Sequence, residues 1–312
     1  MVFLSIVVPC FNEEESVEIF FDEIQRTLPK HDYEIIYIND GSSDNTLENI
    51  KKMSKENPSV KFISFSRNFG KESAIYAGLK SAKGDYVCVM DVDLQHPPSL
   101  LVEMINWVTE EGYDVAAARR VSRRGEPKIK SFFSHMFYKI FNGISNMKLV
   151  EGATDYRVMS RQVIDSVLQL SEYNRFSKGI FEWVGFDTKW IEYENIERTT
   201  GETTWSFWKL IHYSIEGIIA FTTTPLMVSI LLGSIFSFAA FIYMIFIIVK
   251  YLLYSDPVQG FATTMTAILF LGGIQLLSIG ILGKYLEKTY LETKNRPIFI
   301  VKESNIDEEE KL

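Results

Sequence analysis

Cysteine is almost absent. Cys10 and Cys88 are the two the chain has, and both lie in apolar strand-like surroundings. Buried reduced thiols are therefore expected, rather than a disulfide framework, and with them a cytosolic compartment for this part of the chain. The four histidines show no metal-ligand spacing. Basic residues do not dominate: 32 Lys and Arg face 40 Asp and Glu, a formal net charge of −8, which argues against general nucleic-acid binding. There is no Gly-x-Gly-x-x-Gly and no Gly-x-x-x-x-Gly-Lys-Ser/Thr. Gly70-Lys71-Glu72-Ser73 lacks the first glycine of the latter, so dinucleotide and P-loop readings are weak. Met1 to Val8 carries no basic leader and too short an apolar run for a signal peptide.

Apolar residues make up 47% of the chain, unevenly placed. Gly217 to Val249 and Pro257 to Gly283 are uncharged runs, each longer than the roughly 20 residues a bilayer requires. Two membrane spans are predicted, about Pro225 to Val249 and Phe261 to Gly283. Lys250 and Asp256 flank the loop between them, whereas Lys284, Lys288, Lys294 and Arg296 follow the second. The positive-inside rule then puts both ends in the cytoplasm, making a multi-pass protein of the cell membrane. Ahead of the spans, Trp205 to Phe221 spaces Trp208, Ile211, Ile215 and Ile218 among Lys209, His212 and Glu216, the pattern of an amphipathic helix lying in the membrane surface. The acidic tail from Glu303 to Leu312 is expected to be disordered. Four segments result: 1–204, 205–222, 223–285 and 286–312.

The first segment alternates strand and helix patterns. Leu4–Val8, Tyr33–Ile38, Val60–Phe65 and Asp85–Met90 read as buried parallel strands, Asp114–Ala118 and Lys189–Tyr193 as further ones. Helices are predicted over about Glu14–Leu28, Thr46–Met53, Lys71–Ala82, Leu100–Thr109 and Gln162–Leu170. Such alternation gives an α/β, doubly wound, mostly parallel sheet. Phe132 to Phe141 reads as an aromatic helix, suited either to the core or to a membrane interface. Each of the first four strands ends in polar residues, and open α/β sheets bind ligands at that edge.

The fourth strand leads into Met90-Asp91-Val92-Asp93-Leu94-Gln95-His96-Pro97-Pro98. The proline pair stops further sheet pairing, because proline has no N–H to donate. Two carboxylates at a strand end suit Mg²⁺ or Mn²⁺ holding a diphosphate; an acidic loop capping the next helix is the alternative. Arg119 to Lys130 is a basic run in an acidic protein. It reads as a phosphate clamp or as a solvated loop.

Val7-Val8-Pro9-Cys10-Phe11-Asn12-Glu13, Asn39-Asp40-Gly41-Ser42-Ser43-Asp44, Ser66-Arg67-Asn68-Phe69-Gly70-Lys71, Asp91-Val92-Asp93-Leu94-Gln95 and Gly152-Ala153-Thr154-Asp155-Tyr156-Arg157 occur in this order. Together they resemble glycosyltransferase family 2, in particular its polyprenyl-phosphate glycosyltransferases, over nearly the whole chain. The resemblance implies a glycosyltransferase A fold followed by an interfacial helix and a transmembrane hairpin. It implies a nucleotide-sugar site at Pro9, Asn12, Glu13, Asp40, Gly70, Lys71 and Asp91, a Mg²⁺ or Mn²⁺ site at Asp91, Asp93 and Gln95, and catalytic roles for Asp93 and Asp155. Arg119, Arg123 and Arg198 would bind the acceptor's phosphate. Thr204 stands where relatives often carry Lys, so one cationic phosphate ligand is in doubt. The Gln-x-x-Arg-Trp motif of processive members is missing, which implies a single, inverting sugar transfer. Glucose from UDP-glucose onto polyprenyl (undecaprenyl) phosphate is the expected reaction. Mannose or N-acetylglucosamine transfer, or a non-lipid acceptor, is the alternative, and a non-catalytic membrane module the second. A homo-oligomer is left open.

Overall fold

The computed structural model describes residues 3–121, 128–145, 147–194, 207–254 and 260–306. Arg123 and Arg198 lie outside the described residues, as do Trp205 and the link before it.

Eight strands form one sheet, in the order β7-β5-β6-β4-β1-β2-β3-β8. At its centre β1 (Phe3–Cys10) runs parallel to β2 (Asp32–Asn39) and β4 (Tyr86–Val89), and β2 runs parallel to β3 (Val60–Phe65). These strands are apolar on both faces because both faces are covered. Leu4, Ile6, Val8, Ile35 and Tyr37 point to one layer, with α1 (Val17–Thr27), α2 (Thr46–Glu56) and α4 (Ser99–Thr109). Val7, Ile36 and Ile38 point to the other, with α3 (Lys71–Ser81), α6 (Arg161–Gln169) and α7 (Ser177–Trp183). Pro9 is tolerated in a central strand because β4 pairs with β1 only as far as Val7. Cys10 and Cys88 are buried and unbridged, as expected.

The rest of the sheet is mixed. β5 (Val115–Arg120) pairs parallel with β7 (Thr188–Tyr193), but β6 (Ala153–Ser160) lies antiparallel between β4 and β5. That reversal points Asp155 back toward the edge where β1 to β4 end.

Two sequence expectations need correction. α1 begins at Val17, not Glu14, because the residues before it are tied to the next loop. Glu13 N donates to Thr46 Oγ1 at 2.8 Å, Glu14 N to Asp44 at 3.2 Å, and Asn45 N to Glu14 at 3.0 Å. The start of the acidic tail is ordered, not disordered. β8 (Val301–Ser304) pairs antiparallel with β3, Phe299 stacks on Phe65 at 5.0 Å, and Lys51 meets Glu303 at 2.9 Å. The β3 edge presents unpaired N–H and C=O groups, and this strand satisfies them. Residues 307–312 lie outside the described residues.

α5 (Lys128–Ile144) divides its aromatic content. Phe141 is buried with Leu149 and Phe176, while Phe133, Met136 and Ile140 are exposed. α8 (Phe207–Phe221) precedes α9 (Thr224–Tyr254) and α10 (Phe261–Thr293). The last two are long and apolar enough to cross a membrane. α10 continues past Gly283 as a charged stem packed on the transferase layer. Tyr285 Oη donates to Thr222 O at 2.6 Å, Lys288 pairs with Glu216 at 3.1 Å, and Glu292 accepts the N–H of Tyr173 at 3.0 Å.

Asn305 pins the end of β8: its Oδ1 accepts Phe62 N–H at 2.7 Å and its Nδ2 donates to Val60 O at 3.1 Å. Asn305→Ala should therefore cost about 1–3 kcal/mol and lower the unfolding midpoint by several degrees in detergent. An unchanged midpoint would show that β8 is not anchored there.

Candidate active site

The parallel register brings the ends of β1, β2, β3 and β4 to one level. After β2, Asp40 links two loops. Its Oδ1 accepts Phe69 N–H at 2.6 Å and its Oδ2 accepts Gly70 N–H at 2.9 Å. Burial pushes the Asp40 carboxyl up, opposed by these two N–H groups and by Arg67. Gly41 follows at φ +70, and a Cβ there would stand 2.5 Å from the Arg67 carbonyl carbon. No side chain fits that approach. Asn12 takes a left-handed φ of 55 and its Oδ1 accepts Ser43 N–H at 2.9 Å. Asp40, Asn12 and Glu13 thus shape the crevice with part of their hydrogen-bonding capacity.

Lys71 opens α3 and lies between two carboxylates. Its Nζ is 2.7 Å from Asp91 Oδ1 and 2.8 Å from Asp155 Oδ2. Desolvation alone would lower the lysine's pKa, but Asp155 and then Asp91 outweigh it and hold the ammonium well above its usual value. Burial would raise Asp155, but Lys71, then Lys178 and Arg157, hold its carboxyl well below the usual range. Both groups are therefore charged at neutral pH. Arg157, two residues along the same face of β6, is buried over the Phe181 ring at 4.1 Å.

Asp93 is buried and accepts Gln95 N–H at 3.2 Å. His96 is buried and stacked on Tyr156 at 5.4 Å, and among the described residues its Nδ1 has no hydrogen-bond partner. Desolvation holds that imidazole below its usual pKa, hence neutral. Among the described residues no three or more acidic, His or Cys side chains form a ready-made metal cage. The donor set nevertheless fits Mg²⁺ or Mn²⁺. Asp91 and Asp93 supply hard carboxylate oxygens and Gln95 an amide oxygen, and Mg²⁺ commonly takes one or two carboxylates plus substrate phosphates.

Of the residues singled out in the sequence, the structure brings together Asp40, Gly70, Lys71, Asp91 and Asp155. Arg119 is engaged elsewhere: its Nε donates to Glu151 O at 3.0 Å and its guanidinium lies 3.7 Å from Glu192. The Lys71 bridge, His96 and the contact of Glu72 with Ser177 carry no sequence motif of their own. Each depends on segments far apart in the chain.

A polar crevice at the ends of parallel strands, with paired carboxylates after β4, is where an enzyme of α/β architecture holds its ligands. Residues 5–168 match Glycosyl transferase family 2, and the chain belongs to that family, with the glycosyltransferase A arrangement of sheet and helices. The prophage bactoprenol glucosyl transferase homolog of Escherichia coli (strain K12) is 41% identical over 302 residues, covering 96% of this chain and 98% of that protein. The bactoprenol glucosyl transferase of Shigella phage SfII is 41% identical over 305 residues, covering 97% and 98%. Among solved structures, glucosyl-3-phosphoglycerate synthase from Mycobacterium tuberculosis, in complex with Mn²⁺, UDP-glucose and phosphoglyceric acid, is similar with a TM-score of 0.47 at 19% identity, covering 70% of this chain and 78% of that one.

Lys71→Met should leave Asp91 and Asp155 facing each other without their shared cation. Transfer is expected to fall at least ~100-fold, several kcal/mol of charge stabilisation, while Lys71→Arg keeps part of it. Wild-type rates in Lys71→Met would remove the bridge from the mechanism.

Proposed function

We propose that this chain moves one glucose from UDP-glucose onto the phosphate of a polyprenyl lipid, with inversion at the anomeric carbon. The carrying observation is the Lys71 bridge. It joins Asp91, on the strand end expected to face the donor diphosphate, to Asp155, expected on the acceptor side, so both substrates would meet at one ammonium. The names of relatives more than 40% identical over nearly the whole chain support both glucose and the lipid.

In the reaction, an oxygen of the lipid phosphate attacks the anomeric carbon. The bond from that carbon to the diphosphate oxygen breaks, and UDP departs with the electron pair. A phosphate monoester is already largely ionised near neutral pH, so Asp155 orients the acceptor rather than deprotonating it. Lys71 holds Asp155 and Asp91 at a common level and offsets half of their combined charge. Pro9, Asn12, Glu13 and Asp40 line the nucleotide end. Asp91, Asp93 and Gln95 would hold Mg²⁺ or Mn²⁺, which when bound neutralises charge on the leaving diphosphate. Arg123 and Arg198 are candidates for the acceptor phosphate, and Arg119 would have to release Glu192 to join them.

Membranes carrying the chain, given a panel of labelled nucleotide sugars and then extracted for lipid, should yield one glycosylated lipid, from UDP-glucose. Label in the lipid from another donor alone would overturn the sugar assignment. Asp93→Asn should lower transfer at least ~100-fold, and EDTA should abolish it; full activity in EDTA would refute the metal.

The charge bias around α9 and α10 supports a transferase domain and C-terminal stem in the cytoplasm. Cys10 and Cys88 are buried, so introduced cysteines can be read against a quiet background. In intact cells Gln259→Cys should label with an impermeant thiol reagent, and Lys302→Cys should label only after lysis. The reverse pattern would invert the orientation.

A further inference from the structure

Asp155 has lysines beside it on two helices. Lys71, the first residue of α3, bonds the carboxylate directly. Lys178 is the second residue of α7. The starts of these helices are tied together: Ser177 donates its N–H to Glu72 at 2.8 Å, and its hydroxyl to the same carboxylate oxygen. Lys71 precedes Glu72 and Lys178 follows Ser177, so this tie holds both lysines near Asp155, and the charge of Lys178 is felt there.

Their engagement differs. Lys71 is saturated by Asp91 and Asp155. Lys178 is half-buried and, among the described residues, has no hydrogen-bond or ion-pair partner. A partly desolvated ammonium without a carboxylate is stabilised by an anionic ligand.

α7 is also seated against the helices that lead to the apolar spans. Phe176 packs on Phe221 at 6.0 Å, and a Cβ on Gly179 would stand 2.4 Å from the Phe221 ring. The loop before α7 is held by α10. Glu292 accepts the N–H groups of Tyr173 and Asn174, and Lys288 donates to Asn174 Oδ1 at 3.0 Å. A phosphate on a lipid held alongside α8 would meet α7, which is tied to the start of α3 beside Asp155. That phosphate, near −2 at neutral pH, must approach an ionised carboxylate, which is repulsive unless cations flank the path.

We propose that Lys178, beside Asp155 on the helix packed against α8, is a ligand of the acceptor's phosphate. This rests on the lipid-phosphate reading above, and the assay separates the two. The full-length wild type in detergent micelles, with UDP-glucose and undecaprenyl phosphate, comes first. Absence of glycosylated lipid defeats that reading and this assignment with it. Given wild-type transfer, Lys178→Ala should raise the KM for undecaprenyl phosphate at least about 10-fold. UDP-glucose affinity by calorimetry and the unfolding midpoint should stay near wild type. Lys178→Arg should recover most of the loss, because a cation is kept, and Lys178→Glu should deepen it. If Lys178→Ala lowers the unfolding midpoint, Lys178→Gln, which keeps much of the aliphatic stem, is read by the same criteria. An unchanged acceptor KM, or donor affinity falling as much as transfer, would overturn the assignment.

Discussion

One ammonium between two carboxylates organises the edge of the sheet where β1 to β4 end. Asp91 follows β4 and Asp155 lies on β6, an antiparallel neighbour. Their like charges, both near the low-dielectric interior, would repel. Lys71, projecting from the first turn of α3, bonds both. The ion pair therefore depends on three elements at once: the β1–β4 register, the reversed direction of β6, and the turn at Gly70 that starts α3. That turn is in turn held by Asp40, whose carboxylate takes the N–H groups of Phe69 and Gly70.

The same logic explains why polar residues near the crevice have structural partners. Asn12, Ser42, Asp44 and Thr46 tie the first two strand-end loops to each other. A crevice pre-shaped in this way loses less freedom when a nucleotide enters. α10 connects the apolar hairpin to the transferase layer through Tyr285, Lys288 and Glu292, and β8 ends the chain's path on the β3 edge. The angle between the spans and the catalytic sheet is thereby restrained at several points along one helix and one strand. Transfer to a lipid would require such restraint, since the phosphate's depth is set by the membrane and that of Asp155 by the sheet.

Much was legible in the residues alone, because some patterns report directly on local physics. Runs such as Ile6-Val7-Val8 and Ile35-Ile36-Tyr37 are apolar at every position, which only a strand covered on both faces tolerates. Residues 224–250 and 264–293 lie in helices long and apolar enough to cross a membrane, and Phe236 packs on Phe270 between them at 5.5 Å, as the lengths of uncharged sequence implied. Asp91 and Asp93 announced themselves by the strand before them and the proline pair after. The glycosyltransferase family was recognisable because its motifs follow in a fixed order, each at a strand end.

Other features belonged to tertiary structure, and for a common reason: each joins segments distant in the chain. Nothing in Gly152 to Arg161 states that it runs antiparallel between β4 and β5, since a short strand of mixed polarity has no direction in its pattern. The tail from Glu303 carries an acidic composition that reads as solvated, yet the bare edge of β3 supplies hydrogen-bonding partners that composition cannot foresee. The partners of Lys71, the bond from Ser177 to Glu72, and the nearness of Lys178 to Asp155 are likewise products of packing. Sequence alone determined the layered α/β sheet, the apolar hairpin and the residue types at each strand end, because side-chain period and hydrophobic length are local properties. Only the folded sheet decided which of those charges face one another, because Coulomb interactions depend on distances in space, which the order of residues does not contain.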